Sequence, residues 1–205
     1  STNSSIGLIY ALKKIFMIKI IYFLGYSKKK TRLIDFLKKK KLIIKTLHNR
    51  LLTHKTARQA DLIISFGYKR IIPKKILYLT KRPIINLHIS YLPYNKGAHP
   101  NLWSFIDNTP KGVSIHEVNE NIDGGPVIVR KKITFSNLKK STLKSTYDFL
   151  FKEIENLFIK NFSNILKKNY KKKYLKSKGT INYKKDFPKK INSWKIEIND
   201  LKRIL

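Results

Sequence analysis

Three polar residues able to support catalysis lie within two short apolar segments of this chain. Asn86 and His88 stand in the run Ile-Asn-Leu-His-Ile, and Asp123 precedes a Gly-Gly-Pro sequence. Residues two apart on an extended strand project from the same face, so Asn86 and His88 can share one pocket. An amide can donate to a developing oxyanion, while an imidazole and a carboxylate can handle protons. The residue types indicate acyl transfer from an amide.

Each residue also has an ordinary structural interpretation, since Asn86 could form a turn and His88 could be a hydrogen-bonded core histidine. Two features favour the catalytic interpretation. The glycines after Asp123 permit close approach of a ligand. The segment after the first motif is an irregular loop, the usual place for a binding site, because it contains Pro93, Gly97 and Pro100. His116, which precedes the Asp123 loop, fits a catalytic role and a packing role equally well.

Strand-like apolar runs alternate with helical patterns along most of the chain. The predicted strands cover residues 18–24, 42–47, 61–66, 84–89, 113–118 and 127–135. The predicted helices cover residues 31–40, 73–79, 100–107 and 143–168. This alternation, with nearly continuous apolar strands, predicts an α/β fold with a mostly parallel, Rossmann-like sheet flanked by helices. Such sheets bind ligands beyond the carboxyl ends of their strands, which is where Asn86 and His88 are expected.

The length of 205 residues suits one domain with small additions. We expect an N-terminal extension over residues 1–16, a catalytic domain over 17–166 and a basic C-terminal appendage over 167–205. The appendage opens with the run Lys-Lys-Asn-Tyr-Lys-Lys-Lys at residues 167–173. Because this run lies outside the motifs, its lysines are expected to lie far from the site and to contribute little to catalysis.

The amino-acid composition excludes some classes of function and disfavours others. The chain has no cysteine, which excludes disulfides, thiolate nucleophiles and cysteine-based zinc sites, and favours a cytoplasmic protein. The formal net charge of +33 would ordinarily favour nucleic acid or an anionic membrane as partner. Over residues 84–130, however, the charges nearly balance: Lys96, Lys111 and Arg130 stand against Asp107, Glu117, Glu120 and Asp123. Nucleic-acid binding is therefore disfavoured, and anionic small molecules are favoured.

A membrane span and a metal site are not expected either. The apolar stretch over residues 6–24 is interrupted by Lys13, Lys14 and Lys19, so its uncharged runs fall short of the ~20 residues that a span requires. No small-residue cleavage site precedes a polar start, which disfavours a signal peptide. His48 and His54 lie too far from any carboxylate cluster in sequence to suggest a metal.

The order of the motifs resembles the folate-dependent formyltransferase family. The resemblance rests on Asn-x-His-x-Ser-x-Leu-Pro from Asn86, on Gly-Val-Ser-Ile-His ending at His116, and on Ile-Asp-Gly-Gly-Pro around Asp123. It extends from about residue 61 to residue 130. What the family implies is the formyltransferase catalytic-domain fold and transfer of a formyl group from 10-formyltetrahydrofolate to a primary amine, without a metal.

The resemblance also implies roles for residues at matching motif positions. Asn86 would stabilise the oxyanion of a tetrahedral intermediate, His88 would support it and relay protons, and Asp123 would position the water or imidazole that deprotonates the amine. The cofactor-binding residues would be Tyr68, Arg70, Ile71, Ile72, Asn119, Glu120, Asn121 and Ile122. The acceptor would contact Ser90, Gly97, His99 and Trp103, although Trp103 could equally belong to the core of a helix.

Departures from the family pattern reduce the number of candidate acceptor substrates. The glycine-rich phosphate loop of glycinamide ribonucleotide transformylase is replaced at residues 25–29 by Gly-Tyr-Ser-Lys-Lys. The residues after 166 are too few for the second domain of methionyl-tRNA formyltransferase. Residues 97–105 and 179–186 resemble the small enzymes that act on nucleotide-linked amino sugars, which we take as the predicted acceptors.

Other interpretations stay open. Within the family, these are a glycinamide ribonucleotide transformylase and a methionyl-tRNA formyltransferase-like enzyme. Outside it, the chain could be a basic nucleic-acid-binding module on a degenerate enzyme fold, although the complete set of Asn86, His88 and Asp123 argues against degeneration. A homodimer is a further expectation.

Overall fold

The computed structural model describes residues 19–204. Its strands, in chain order, are β1 (Ile20–Gly25), β2 (Ile43–His48), β3 (Leu62–Phe66), β4 (Ile85–His88), β5 (Lys96–Gly97), β6 (Lys111–Glu117), β7 (Val127–Ile133) and β8 (Ile181–Asn182). Its helices are α1 (Leu33–Lys38), α2 (His54–Gln59), α3 (Lys74–Leu77), α4 (Pro100–Ile106), α5 (Leu143–Lys167) and α6 (Leu201–Ile204), with single 3-10 turns at Lys184–Asp186 and Ile198–Asp200.

The main sheet has six strands in the order β2-β1-β3-β4-β6-β7. Strands β1 to β4 pair in parallel, whereas β6 pairs antiparallel with both β4 and β7. Strands β5 and β8 form a separate parallel pair. The predicted α/β fold with a mostly parallel sheet flanked by helices is therefore confirmed, and the antiparallel β4–β6 pairing lies where the motif residues are.

Both faces of the sheet are buried, which explains why its central strands read as continuous apolar runs. Alternate residues of β1 point to opposite sides: Phe23 packs with α1 and α5, and Leu24 packs with α2 and α3. Helix α5 supplies much of the first cluster through Leu150, Phe151, Ile154, Phe158, Phe162 and Ile165. These residues recur at helical spacing, which places them on one face of the helix.

Helix α5 has defined ends. The hydroxyl of Thr142 accepts from the Ser145 N–H at 3.1 Å, and the Ser145 hydroxyl accepts from the Thr142 N–H at 2.9 Å, which is a capping box. The helix stops where Lys168 takes a left-handed conformation. Within residues 19–204, no helix is both long enough and apolar enough to cross a membrane.

The segment predicted as a C-terminal appendage packs against the rest of the chain. Ile191, Ile198 and Leu201 are buried with Leu102 of α4 and Leu143 of α5. Strand β8 pairs with β5, immediately after the first motif. The predicted N-terminal extension, residues 1–16, lies outside the described residues.

The differences from prediction concern short elements. Helix α2 was not predicted, because Ala57 is its only buried residue and it therefore has little apolar periodicity. Strands β5 and β8 have two residues each, too few for a period-2 pattern. The helix predicted over 31–40 is confined to Leu33–Lys38.

Candidate active site

Asn86 and His88 lie toward the carboxyl end of β4. Both side chains point to one pocket, as their spacing of two residues predicts. The antiparallel register places His116 of β6 directly opposite Asn86. The Asn86 Nδ2 atom lies 3.0 Å from His116 Nε2 and donates to Asp123 Oδ1 at 3.0 Å. His88 reaches the same carboxylate, with its Nδ1 atom 3.5 Å from Asp123 Oδ2. The two motifs therefore converge on one cluster.

Asp123 is the centre of this cluster and stands in the loop after β6 with a positive φ of 44°. Its Oδ2 atom accepts from the Gly97 N–H at 2.9 Å, and its Oδ1 atom lies 3.3 Å from His116 Nε2. Burial alone would raise the pKa of the Asp123 carboxyl. The facing His88, the contacts with His116 and the Gly97 N–H outweigh that effect and hold the pKa well below its usual value. Asp123 is therefore a carboxylate at neutral pH.

His88 is oriented by a backbone carbonyl on its far side. Its Nε2 atom lies 3.0 Å from the Asn95 carbonyl oxygen, which can only accept, so Nε2 carries a proton. Asn95 is fully buried; its N–H donates to the Thr180 hydroxyl at 2.7 Å and its Nδ2 to the Thr109 hydroxyl at 2.8 Å. A proton taken up on His88 Nδ1 would point at Asp123.

His116 is buried and also has a fixed tautomer. Its Nδ1 atom donates to the Glu117 carbonyl oxygen at 2.8 Å, which leaves Nε2 as an acceptor in the neutral ring. Asn86 Nδ2 therefore has two acceptors, His116 Nε2 and Asp123 Oδ1, one for each hydrogen. The sequence left a catalytic and a packing role open for His116, and the structure places its ring against both Asn86 and Asp123.

Two glycines let the backbone approach closely beside the cluster. A Cβ atom on Gly125 would lie 1.8 Å from the Glu117 carbonyl oxygen, and one on Gly97 would lie 2.2 Å from the Asn182 carbonyl oxygen. Gly97 also has a φ of 85°, which favours glycine. No group of three or more His, Asp or Glu side chains within residues 19–204 is arranged to hold a metal ion.

Residues 22–160 match the family model described as formyl transferase. This chain belongs to the formyl transferase family. A dTDP-4-amino-4,6-dideoxyglucose formyltransferase of Mycobacterium tuberculosis is 32% identical over 127 residues, which are 62% of this chain and 53% of that protein. A methionyl-tRNA formyltransferase of Fusobacterium nucleatum is 34% identical over 132 residues, which are 64% of this chain and 42% of that protein. The chain spans about half the length of these curated relatives.

Solved structures extend the comparison to the fold. The formyltransferase PseJ from Anoxybacillus kamchatkensis, crystallised with UDP-4,6-dideoxy-4-formamido-L-AltNAc and tetrahydrofolate, matches with a TM-score of 0.81 and 34% identity over 89% of this chain and 97% of that chain. A 4-N formyltransferase from Francisella tularensis matches in fold, with a TM-score of 0.70 at 21% identity over 83% of this chain and 78% of that one. The predicted formyltransferase family and its fold are therefore confirmed.

In this formyl transferase chain, the residues predicted to bind folate lie in two segments. In the first, the Tyr68 hydroxyl donates to the Arg50 carbonyl oxygen at 2.8 Å, and the Arg70 Nε donates to the Asn49 carbonyl oxygen. These bonds hold residues 49–52 beside a pocket of about 310 Å³, lined in part by Leu51, Tyr68, Ile71 and Ile72. Ile71 is 80% exposed and offers an apolar surface to a ligand.

The second segment is the loop over residues 119–122. Asn119 Oδ1 accepts from the Asn121 N–H at 3.0 Å, Glu120 pairs with Lys74 of α3 at 2.6 Å, and Ile122 is partly exposed. The ion pair connects this loop to the helix that follows Ile71 and Ile72. The structure thus joins the two predicted folate segments, which are far apart in sequence.

The residues predicted to bind the acceptor amine lie in different environments. Gly97 contacts Asp123, and His99 packs on Phe187 and Trp194, with ring centroids 4.8 and 5.6 Å away. Ser90 is buried and its hydroxyl donates to the Tyr94 carbonyl oxygen at 2.8 Å, so it closes a turn and is not presented to an acceptor. Trp103 lies in α4, and its buried Nε1 has no hydrogen-bond partner among the described residues.

The expectation that the basic run 167–173 lies far from the site was wrong for part of it. Tyr170 and Lys172 bind the carboxylate of Glu117, the neighbour of His116. Sequence analysis also missed Asn95 and Thr180, which orient His88. Apart from the His88–Asn95 contact, these contacts join residues from 53 to 85 positions apart, and neither periodicity nor a motif signals such pairs.

Proposed function

We propose that this protein is an N-formyltransferase that moves a formyl group from 10-formyltetrahydrofolate to the primary amine of a nucleotide-linked amino sugar. The observation that carries the proposal is the convergence of Asn86, His88 and His116 on the Asp123 carboxylate, in a chain of the formyl transferase family. The similarity to PseJ, which spans nearly all of that chain and was solved with a nucleotide-linked sugar and tetrahydrofolate, supports the acceptor class.

The proposed chemistry assigns one task to each side chain. The acceptor amine attacks the formyl carbon. The Asn86 amide then turns one of its hydrogens from its resting acceptor to the substrate oxygen. This N–H stabilises the oxyanion that forms. The new C–N bond persists and the bond from the formyl carbon to folate N10 breaks. One proton leaves the acceptor nitrogen and one is added to N10.

Asp123 suits an indirect role in this proton transfer. A carboxylate with a lowered pKa is a weak base, but its negative charge stabilises a protonated imidazole beside it. His88 Nδ1 faces Asp123 Oδ2, so we assign proton uptake to His88 and its positioning to Asp123.

The folate would bind between the two segments connected by the Lys74–Glu120 ion pair. Tyr68, Arg70, Ile71 and Ile72 would form one wall of the site, and three of them, Tyr68, Ile71 and Ile72, line the pocket beside residues 49–52. Residues 119–122 would form the other wall. The exposed apolar surface of Ile71 suits an aromatic portion of the folate. Asp123 directly follows the second wall, which brings a bound formyl group close to the cluster.

We assign the nucleotide portion of the acceptor substrate to a second pocket of about 340 Å³. This pocket is lined in part by His99, Lys184, Phe187 and Trp194. Aromatic rings can stack on a nucleobase, and Lys184 supplies a positive charge for phosphate. Burial, with the charge of Lys184, lowers the pKa of His99, so its ring is neutral at pH 7 and available for stacking. His99 lies two residues from Gly97, at most ~7 Å along the chain from the residue that contacts Asp123.

A methionyl-tRNA acceptor is the second candidate, favoured by the formal net charge of +33 and by the methionyl-tRNA formyltransferase relatives.

A cytoplasmic location, inferred from the cysteine-free sequence, suits either acceptor. Light scattering of the purified protein would test the predicted homodimer.

One assay separates these functions. The protein is incubated with 10-formyltetrahydrofolate and, in parallel, with UDP- and dTDP-linked 4-amino sugars, glycinamide ribonucleotide and methionyl-tRNA, while release of tetrahydrofolate is followed. We expect release with a nucleotide-linked amino sugar. Release only with methionyl-tRNA would establish the second candidate, and release with none of the acceptors would contradict the proposal.

A further inference from the structure

A buried carboxylate that the proposed chemistry does not use lies next to His116. Glu117 is 5% exposed; the Tyr170 hydroxyl donates to its Oε1 atom at 2.9 Å and Lys172 Nζ donates to its Oε2 atom at 2.8 Å. A buried carboxylate is costly unless it is paired and hydrogen-bonded, and here both oxygens have donors. The donors come from the segment after α5.

The backbone of Glu117 is held as firmly as its side chain. Its N–H donates to the Pro126 carbonyl oxygen at 3.0 Å, and Gly125 packs directly against its carbonyl group. The same C-terminal segment is attached to the start of β7, because Lys173 and Val127 exchange two backbone hydrogen bonds of 2.8 and 2.9 Å. Glu117 therefore joins the C-terminal segment to the end of β6.

We propose that Glu117, Tyr170 and Lys172 form a positioning cluster that sets the tautomer of His116 and, through it, the orientation of the Asn86 amide. The Glu117 carbonyl oxygen holds the proton of His116 on Nδ1, which presents the Nε2 lone pair to Asn86 Nδ2. A proton on Nε2 would instead face the N–H group of Asn86, and Asp123 Oδ1, 3.3 Å from Nε2, would compete to accept it. Displacing the Glu117 carbonyl would make that arrangement accessible, and the Asn86 amide would lose its fixed direction.

The Tyr170 donor keeps its proton. Burial, together with the Glu117 carboxylate, raises the pKa of Tyr170, whereas the nearby Arg82 guanidinium lowers it to a smaller extent. Tyr170 therefore remains a hydroxyl donor at neutral pH. Lys172 provides the positive charge that neutralises Glu117.

Lys172→Met retains the apolar length of the side chain and removes its charge. The buried Glu117 carboxylate then lacks its counter-ion, and the Glu117 carbonyl loses the side-chain anchor that Lys172 provides. Lys171→Met and Lys173→Met are matched controls, since both side chains are exposed neighbours in the same run. Lys172→Arg retains the charge and should behave as the wild type.

The first measurement is long-range ¹H–¹⁵N NMR of histidine-labelled protein, with the His116 signals assigned through His116→Gln. We expect the Nδ1–H tautomer in the wild type, in the two controls and in Lys172→Arg, and a mixture of tautomers in Lys172→Met. Tyr170→Phe, which removes one donor and no charge, provides a second test and should shift the tautomer in the same direction. An unchanged Nδ1–H pattern in folded Lys172→Met or Tyr170→Phe would overturn the proposal.

The second measurement is turnover, and it rests on the proposed function. We expect Lys172→Met to lower kcat by about tenfold, since displacing a reacting group by ~1 Å can cost about 100-fold, with KM for both substrates nearly unchanged. A purely structural role would lower the yield of folded protein but leave kcat per folded molecule intact. If the wild type transferred no formyl group, the proposed function would fail, whereas the NMR result would still decide the role of this cluster.

Discussion

The Asp123 carboxylate contacts four polar groups: the Asn86 amide, the imidazoles of His88 and His116, and the Gly97 N–H. These contacts fix the directions of the Asn86 amide and of the two imidazoles before the reaction begins, and such preorganisation stabilises a transition state with developing charge. The low pKa of Asp123 follows from the same contacts. Single substitutions can therefore separate the oxyanion role from the proton-transfer role.

Asn86→Ala should lower kcat by about 100- to 1000-fold, because removing one oxyanion donor typically costs ~3 kcal/mol of transition-state stabilisation. The tetrahydrofolate-release assay measures this, with circular dichroism to verify folding. Ser114→Ala, on β6 but outside the Asp123 cluster, is a reference for ordinary strand perturbation. Turnover at the wild-type rate in folded Asn86→Ala would remove Asn86 from the mechanism.

Asp123→Asn should abolish most turnover and leave folate binding measurable. The substitution retains the shape of the side chain and removes the charge that stabilises a protonated His88. Fluorescence titration with 5-formyltetrahydrofolate measures the binding, and the release assay measures the turnover. If the variant kept its turnover and showed only weaker folate binding, Asp123 would orient the loop and the proton route would lie elsewhere.

The lowered pKa of Asp123 also predicts a pH dependence of stability. Its stabilising contribution is fully present above the unfolded-state pKa, close to the ordinary value of 3.8, and is lost as pH falls from there toward the lower folded-state pKa. The free energy of unfolding should therefore decrease more steeply below about pH 4 in the wild type than in Asp123→Asn. Urea titrations from pH 3 to pH 7 test this, and parallel curves for the two proteins would contradict it.

Among the secondary-structure elements, the antiparallel β4–β6 pair and the small β5–β8 sheet decide the geometry of the site. The first pair sets Asn86 opposite His116. The second brings Thr180, just before β8, to the backbone of Asn95, whose carbonyl oxygen accepts from His88. A short two-stranded pairing formed by the C-terminal segment thus supports a histidine of the central sheet.

Thr180→Val should reduce both stability and turnover. It retains the shape of the side chain but leaves the buried Asn95 N–H without its acceptor, at a cost of about 1–3 kcal/mol. His88 is then no longer held by a fixed carbonyl partner, so kcat should fall as well. Thr180→Ser keeps the hydroxyl and should retain most of both properties, as measured by urea unfolding and the release assay. A decrease in Thr180→Ser with none in Thr180→Val would show that the methyl group matters instead of the hydroxyl.

Across the whole molecule, the formal net charge of +33 includes lysines with different roles. Lys172 pairs with a buried carboxylate, whereas Lys171 and Lys173 are exposed neighbours. The basic run therefore cannot be treated as one uniform surface. Lys171 and Lys173 are available to a polyanion, whereas Lys172, although 38% exposed, pairs with the buried Glu117 carboxylate.

Replacing Lys171 and Lys173 together by Gln should weaken non-specific binding of a polyanion such as heparin. The salt slope should fall by about one unit for each of these lysines that neutralises an anionic group in the wild type. Turnover with a small acceptor should change by less than about threefold, because exposed charges beyond a Debye length are screened at physiological salt. Salt titrations of heparin binding and the release assay measure the two effects. A decrease in turnover with methionyl-tRNA alone would favour the tRNA acceptor.

Local sequence patterns were enough to predict the fold class and the shared face of Asn86 and His88. Both follow from local rules: apolar periodicity distinguishes strands from helices, and a spacing of two places side chains on one face of a strand. The family motifs added Asp123 to the same site. Short elements such as α2 were missed because they bury too few residues to leave a pattern.

The partners that complete the site follow from the packing of distant segments and have no local signal in the sequence. His116 faces Asn86 because of the antiparallel register, His88 is oriented by Asn95 through Thr180, and Glu117 is neutralised by Lys172. Strand register and the docking of the C-terminal segment depend on packing the whole chain at once, because each contact joins residues far apart in sequence. A local pattern indicates on which side of its element a residue is buried. The side chain that the residue contacts on that side is determined only when distant segments pack together.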